Sequence, residues 1–110
     1  MSVRRFGIVI GLREDAASAY RALHADEHSG VRELLARYHI RNFSIFIQEI
    51  AGALYEFGYY EYHGADYEGD MERLAKEPQQ IAWLERCDPM QLPLPGATGW
   101  NVMEQMYYNT

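Results

Sequence analysis

Tyr20 and His24 stand four residues apart within Glu14 to Tyr38, a stretch whose apolar residues recur at intervals of three and four. On a helix that spacing makes the two side chains neighbours on one face. An imidazole changes charge near neutral pH, and a phenol hydroxyl beside it can pass or hold a proton, so the pair is a usable proton-transfer couple. The same spacing also reads as a histidine at a helix border, hydrogen-bonded to Tyr20 for structural reasons. Leu23 shares the face and suggests that it turns inward or into a pocket.

Other residues with chemical potential are weaker. His28 lies four beyond His24, with Asp26 and Glu27 close by, which is a zinc-like spacing if the helix continues. Ala25 follows His24 where zinc proteases place glutamate, and a second ligand cluster is absent, so no metal is expected. Asp66, Glu68 and Asp70 suit the positive end of a helix. Trp83, within Ile81-Ala82-Trp83-Leu84, suits either a core anchor or a platform for a sugar ring. Cys87 is the single cysteine and reads as a small hydrophobe. Phosphate-binding glycine loops, a G-x-S-x-G elbow and CxxC pairs do not occur.

The elements that must position these residues follow from periodicity. Arg4 to Leu12 alternates Phe6, Ile8 and Ile10 against Gly7, Val9 and Gly11, which predicts a strand. A helix runs to about His24, then Asp26 to Gly30 loosens it, and a second helix opens with Ser29 as N-cap. Asn42 to Glu49 and Leu54 to His63 read as two strands of a hairpin turned at Ala51-Gly52. Asp66 to Ala75 is helical, Pro78 interrupts, and a further helical turn covers Gln79 to Arg86. Asp88 to Gly99 holds three of the four prolines and reads as an extended loop, and Trp100 to Tyr108 as a closing strand.

Strand, helix, strand, strand, helix, strand is the split β-α-β order of a ferredoxin-like α+β sandwich with a four-stranded antiparallel sheet. Both sides of the strands carry apolar or aromatic residues, so the face without helices would be an exposed patch. Pairing two sheets in a homodimer, as a dimeric α/β barrel, covers it. One domain of 110 residues is expected. Ten basic against sixteen acidic residues give a net charge of −6 and a pI near 5.1, which argues against nucleic acid and anionic membrane surfaces as partners. One cysteine, no secretory signal pattern and no long apolar run lead to the expectation of a cytoplasmic protein.

A run of segments then carries a resemblance. Phe6-Gly7, Tyr20-Arg21-Ala22-Leu23-His24-Ala25, Ile40-Arg41-Asn42-Phe43-Ser44-Ile45-Phe46, Asp70-Met71, Trp83, Asp88-Pro89 and Met103-Glu104 follow one another in the order and spacing of a known family. The chain resembles the L-rhamnose mutarotases, including their L-fucose-associated branch. The resemblance implies a dimeric ferredoxin-like fold, a cofactor-free reaction and a monosaccharide substrate. It implies His24 as proton donor and Tyr20 as the residue that contacts the sugar and assists, with Phe43, Trp83, Leu84 and His28 at sugar-gripping positions. The expected activity is exchange of the α and β anomers of a 6-deoxy-hexose by acid/base ring opening. A sugar-binding module without catalysis is the alternative, and a cofactor-free monooxygenase or a haem-degrading protein using His63 is a more distant one.

Three positions depart from the family pattern. His28-Ser29 stands in place of Trp-Pro, Trp83-Leu84 in place of two tryptophans, and Phe43 where an aromatic with a hydroxyl is common. Phenylalanine cannot donate that hydrogen bond, so the sugar accepted is open to change.

Overall fold

The computed structural model describes residues 2–27 and 29–110. Strand β1 is Arg4–Leu12, with the expected bounds. A 3-10 turn at Glu14–Ala16 leads into α1, Ala17–Ala25, and α2 is Val31–Arg37. Strands β2, Ile40–Ile50, and β3, Ala53–Tyr62, form the hairpin. Helices α3, Tyr67–Ala75, and α4, Pro78–Cys87, follow, then a 3-10 turn at Asp88–Met90 and the short strands β4, Gln91–Leu92, and β5, Asn101–Met103.

All pairings are antiparallel, and the strand order is β2-β3-β1-β4, with β5 also on β1. β4 pairs with Gly11 and Leu12 while β5 pairs with Gly7 to Val9, so two short strands share the lane that a single fourth strand was expected to fill. The expected loop therefore contains a strand at Gln91–Leu92. The closing strand is three residues long rather than nine, and residues 104–110 continue without regular structure.

Two helix starts differ in detail from expectation. Gly30 occupies the position before α2 at φ 87°, in the left-handed region that glycine enters without penalty. Ser29 lies one residue earlier, and its Oγ accepts from the Val31 N–H at 3.3 Å. Pro78 opens α4 instead of interrupting a helix, because the first helical position needs no N–H partner. Asp66 caps α3 by accepting from Gly69 N–H at 3.1 Å.

The helices lie on one face of the sheet. Ala17 and Tyr20 from α1, with Cys87 and Trp83 from α4, pack on Leu12, Ile47 and Leu54. The register puts Ile8, Ile10, Ile45, Ile47, Glu56 and Gly58 on this covered face. Val9, Phe57, Phe46, Tyr59 and Met103 fall on the other, where Phe46 is 66 % exposed. Among the described residues, no helix is long and apolar enough to cross a membrane.

Candidate active site

Between the helices and the covered face lies a cavity of about 620 Å³, within the range of small-molecule sites. Tyr20, His24, Phe43, Trp83 and Leu84 all line it, brought together from α1, β2 and α4. His28 lies outside the described residues. Gln91 and Trp100, which the sequence pattern did not single out, line it as well.

His24 is fixed on three sides. Its Nδ1 is 2.9 Å from the Tyr20 backbone carbonyl, one helical turn back. A carbonyl only accepts, so Nδ1 carries a proton and Nε2 remains for a ligand. The ring leans on the Tyr20 ring at 4.2 Å and meets the edge of Trp83 at 5.1 Å. His24 therefore contacts Tyr20 by backbone and ring, and not through the tyrosine hydroxyl as the simplest reading of the spacing has it.

The Tyr20 hydroxyl turns the other way. It accepts from Gln91 Nε2 at 2.9 Å and adjoins the Glu56 carboxyl. Burial, reinforced by the Glu56 charge, holds its pKa far above the ordinary phenol range. Alone, Tyr20 is thus neither an acid nor a base near neutral pH. Glu56 is 1 % exposed, and burial raises its carboxyl pKa while hydrogen bonds with Tyr20 and Gln91 pull it back. Burial pushes the Cys87 thiol up to about 11, so it remains a protonated apolar filler beside them. A signal for Glu56 existed: the alternation of β3 sets it in line with Leu54 and Tyr60, on the apolar side.

Phe43 reaches the cavity through a β-bulge. Arg41 pairs with Glu61 and Ser44 with Tyr59, so β2 carries one extra residue there, with Asn42 at φ 53°. Phe43 then stacks on Tyr60 at 5.3 Å and stays 40 % exposed. On the opposite side Leu84 is 38 % exposed. Both are apolar edges without hydrogen-bonding capacity.

The sequence profile of the L-rhamnose mutarotases matches residues 5–109. The chain belongs to the L-rhamnose mutarotase family. It is accordingly a mutarotase, an isomerase acting on a sugar. The crystal structure of L-rhamnose mutarotase from Formosa agariphila has the same mixed α+β fold, with a TM-score of 0.70 over 97 % of this chain and 99 % of that one, at 19 % identity. No curated protein sequence matches the chain. A mutarotase needs an acid and a base at one sugar ring, and His24 and Tyr20 both line this cavity, with their rings in contact.

Proposed function

We propose that this mutarotase exchanges the α and β anomers of a 6-deoxy-hexose, L-rhamnose in the first place and L-fucose as its nearest alternative. The observation that carries the reading is His24, with Nδ1 tied to a carbonyl and Nε2 left for substrate, set against Trp83 in a sugar-sized cavity. L-rhamnose is favoured by the family profile, and a 6-deoxy-hexose in general by the walls. Ile8, Leu35, Ile40 and Ile45 make them largely apolar, which suits a methyl group at C6 better than a hydroxymethyl.

In this reading His24 Nε2–H donates to the ring oxygen while the proton of the anomeric hydroxyl leaves on the Tyr20 side. The C1–O5 bond opens to the aldehyde, C1 turns, and the reverse transfers close the ring on the other face. Trp83 and Phe43 supply faces for the sugar to stack on, and no cofactor takes part. The protein is read as a cytoplasmic homodimer whose uncovered sheet faces meet, a pairing favoured by the exposed Phe46, Ile50 and Met103.

The test is NMR exchange between the anomeric proton signals of L-rhamnose, L-fucose, D-glucose and D-mannose, with and without the protein. Faster exchange of a deoxy-sugar is expected. Solvent-rate exchange across the whole panel would sink the proposal.

A further inference from the structure

Glu56 lies at the middle of the sheet, paired with Ile10 of β1 on one side and Ile47 of β2 on the other. It is 1 % exposed, and its Oε1 has no hydrogen-bond partner. Its Oε2 is 3.4 Å from Gln91 Nε2, the same amide that donates to the Tyr20 hydroxyl at 2.9 Å. An apolar residue of similar size would fill this place between two isoleucines without the desolvation cost of a carboxyl group. A buried carboxyl with an open oxygen, sharing the Gln91 amide with the hydroxyl of a tyrosine that lines a cavity, is therefore a functional arrangement before it is a structural one.

We propose that Glu56 is the proton acceptor behind Tyr20, so that hydroxyl and carboxylate together form the base that faces the His24 acid. This rests on the anomer-exchange reading given above. In ring opening, the anomeric O–H gives its proton to Tyr20 Oη as Tyr20 gives its own to a Glu56 oxygen. His24 donates to the ring oxygen, and the C1–O5 bonding pair stays on that oxygen as C1=O1 forms. The carboxylate becomes a carboxylic acid and the imidazolium a neutral imidazole, so protons and charge balance. Ring closure runs the same transfers backwards.

Tyr20 never has to become a free phenolate, which its surroundings forbid. Gln91 fixes the geometry by donating to both oxygens. Glu56 is a positioning residue in the sense that it acts through Tyr20, since it does not itself line the cavity. The groups facing it are Tyr20 from α1, Cys87 from α4 and the neutral Gln91 amide from β4, with apolar Ile10 and Ile47 on the flanking strands. Asp88 and Arg86 bear on Cys87 with opposite sign.

The experiment measures kcat and KM for L-rhamnose anomer exchange against pH in the unaltered protein, Glu56→Gln and Tyr20→Phe. Glu56→Gln keeps shape and the bond from Gln91 but cannot take a proton. It is expected to lower kcat by about 10²-fold, with KM little changed, and to abolish the acidic limb of the kcat profile. Independently, the buried glutamate ¹³C carboxyl signal of the unaltered protein should titrate, and its midpoint should shift in Tyr20→Phe. Full kcat with an unchanged pH profile in folded Glu56→Gln overturns the relay and leaves anomer exchange standing. A carboxyl titration indifferent to Tyr20→Phe overturns the relay as well. No acceleration by the unaltered protein on any sugar overturns both.

Discussion

At the residue scale the site depends on where each proton is held. His24 is oriented by one hydrogen bond to the Tyr20 carbonyl and by two aromatic neighbours, so deleting the imidazole removes little structure. His24→Ala is expected to lower kcat by about 10²–10⁴-fold, with stability reduced by about 1 kcal/mol for the lost bond. Anomer-exchange kinetics and a urea titration check the two parts separately. Glu56 makes a second prediction through stability. Burial raises its carboxyl pKa in the folded state above the unfolded value, so the native protein binds the extra proton. Its favourable contribution is then complete below the unfolded value, about 4.3, and is lost as pH rises through the folded one. Glu56→Gln does not titrate, so urea midpoints of variant and parent should draw apart in the variant's favour as pH rises from acid to neutral. A gap that narrows instead would mean that the carboxylate is better solvated in the fold than outside it.

At the scale of elements, the bulge in β2 decides which side chains reach the cavity. Strict alternation would put Ile40 and Ile45 on opposite faces, because their separation is odd. One extra residue between Arg41 and Ser44 puts both on the cavity side and swings Phe43 onto Tyr60. The bulge turns on Asn42 at φ 53°, a region asparagine tolerates and a β-branched residue does not. Asn42 also donates to Glu61 at 3.0 Å. Asn42→Val is expected to cost about 1–2 kcal/mol in urea denaturation and to raise KM for the sugar by displacing Phe43. A variant that loses stability while keeping KM would detach Phe43 from binding. The sequence made the strands and the hairpin legible because an unbroken alternation, as in Phe6-Ile8-Ile10 or Phe43-Ile45-Ile47, states its own period. It hid the bulge, since one inserted residue leaves no mark on an alternation that simply restarts. The closing strand is shorter than its alternation predicts for the opposite reason: Met106 and Tyr108 keep the period of a strand, yet both stay exposed. Tyr20 and His24 were visible through helical spacing, whereas Glu56 and Gln91 join them only through pairing between strands far apart in the chain.

At the scale of the whole molecule, one face of the sheet makes the site and the other is uncovered. Val9, Phe57 and Phe46 line up across β1, β3 and β2 on that second face. Phe46 is 66 % exposed, Ile50 47 % and Met103 37 %, large apolar side chains shown to water on a face that carries no helix. The C-terminal stretch adds to it: Met106 and Tyr107 are exposed, and Tyr108 lies under the Arg5 guanidinium at 4.0 Å, next to the same face. A second copy presents the identical patch, and a two-fold pairing buries each residue twice, so one aromatic of about 2 kcal/mol counts double. Phe46→Glu introduces two charges into that interface and is expected to convert a particle of twice 12.8 kDa into a monomer, as read by analytical ultracentrifugation. The cavity is built on the opposite face from α1, α4 and the sheet of a single chain, so kcat of the monomeric variant should stay close to that of the parent. A parent protein that sediments as a monomer would overturn the pairing. A variant that dissociates and loses kcat together would show that the second copy steadies the sheet carrying Glu56.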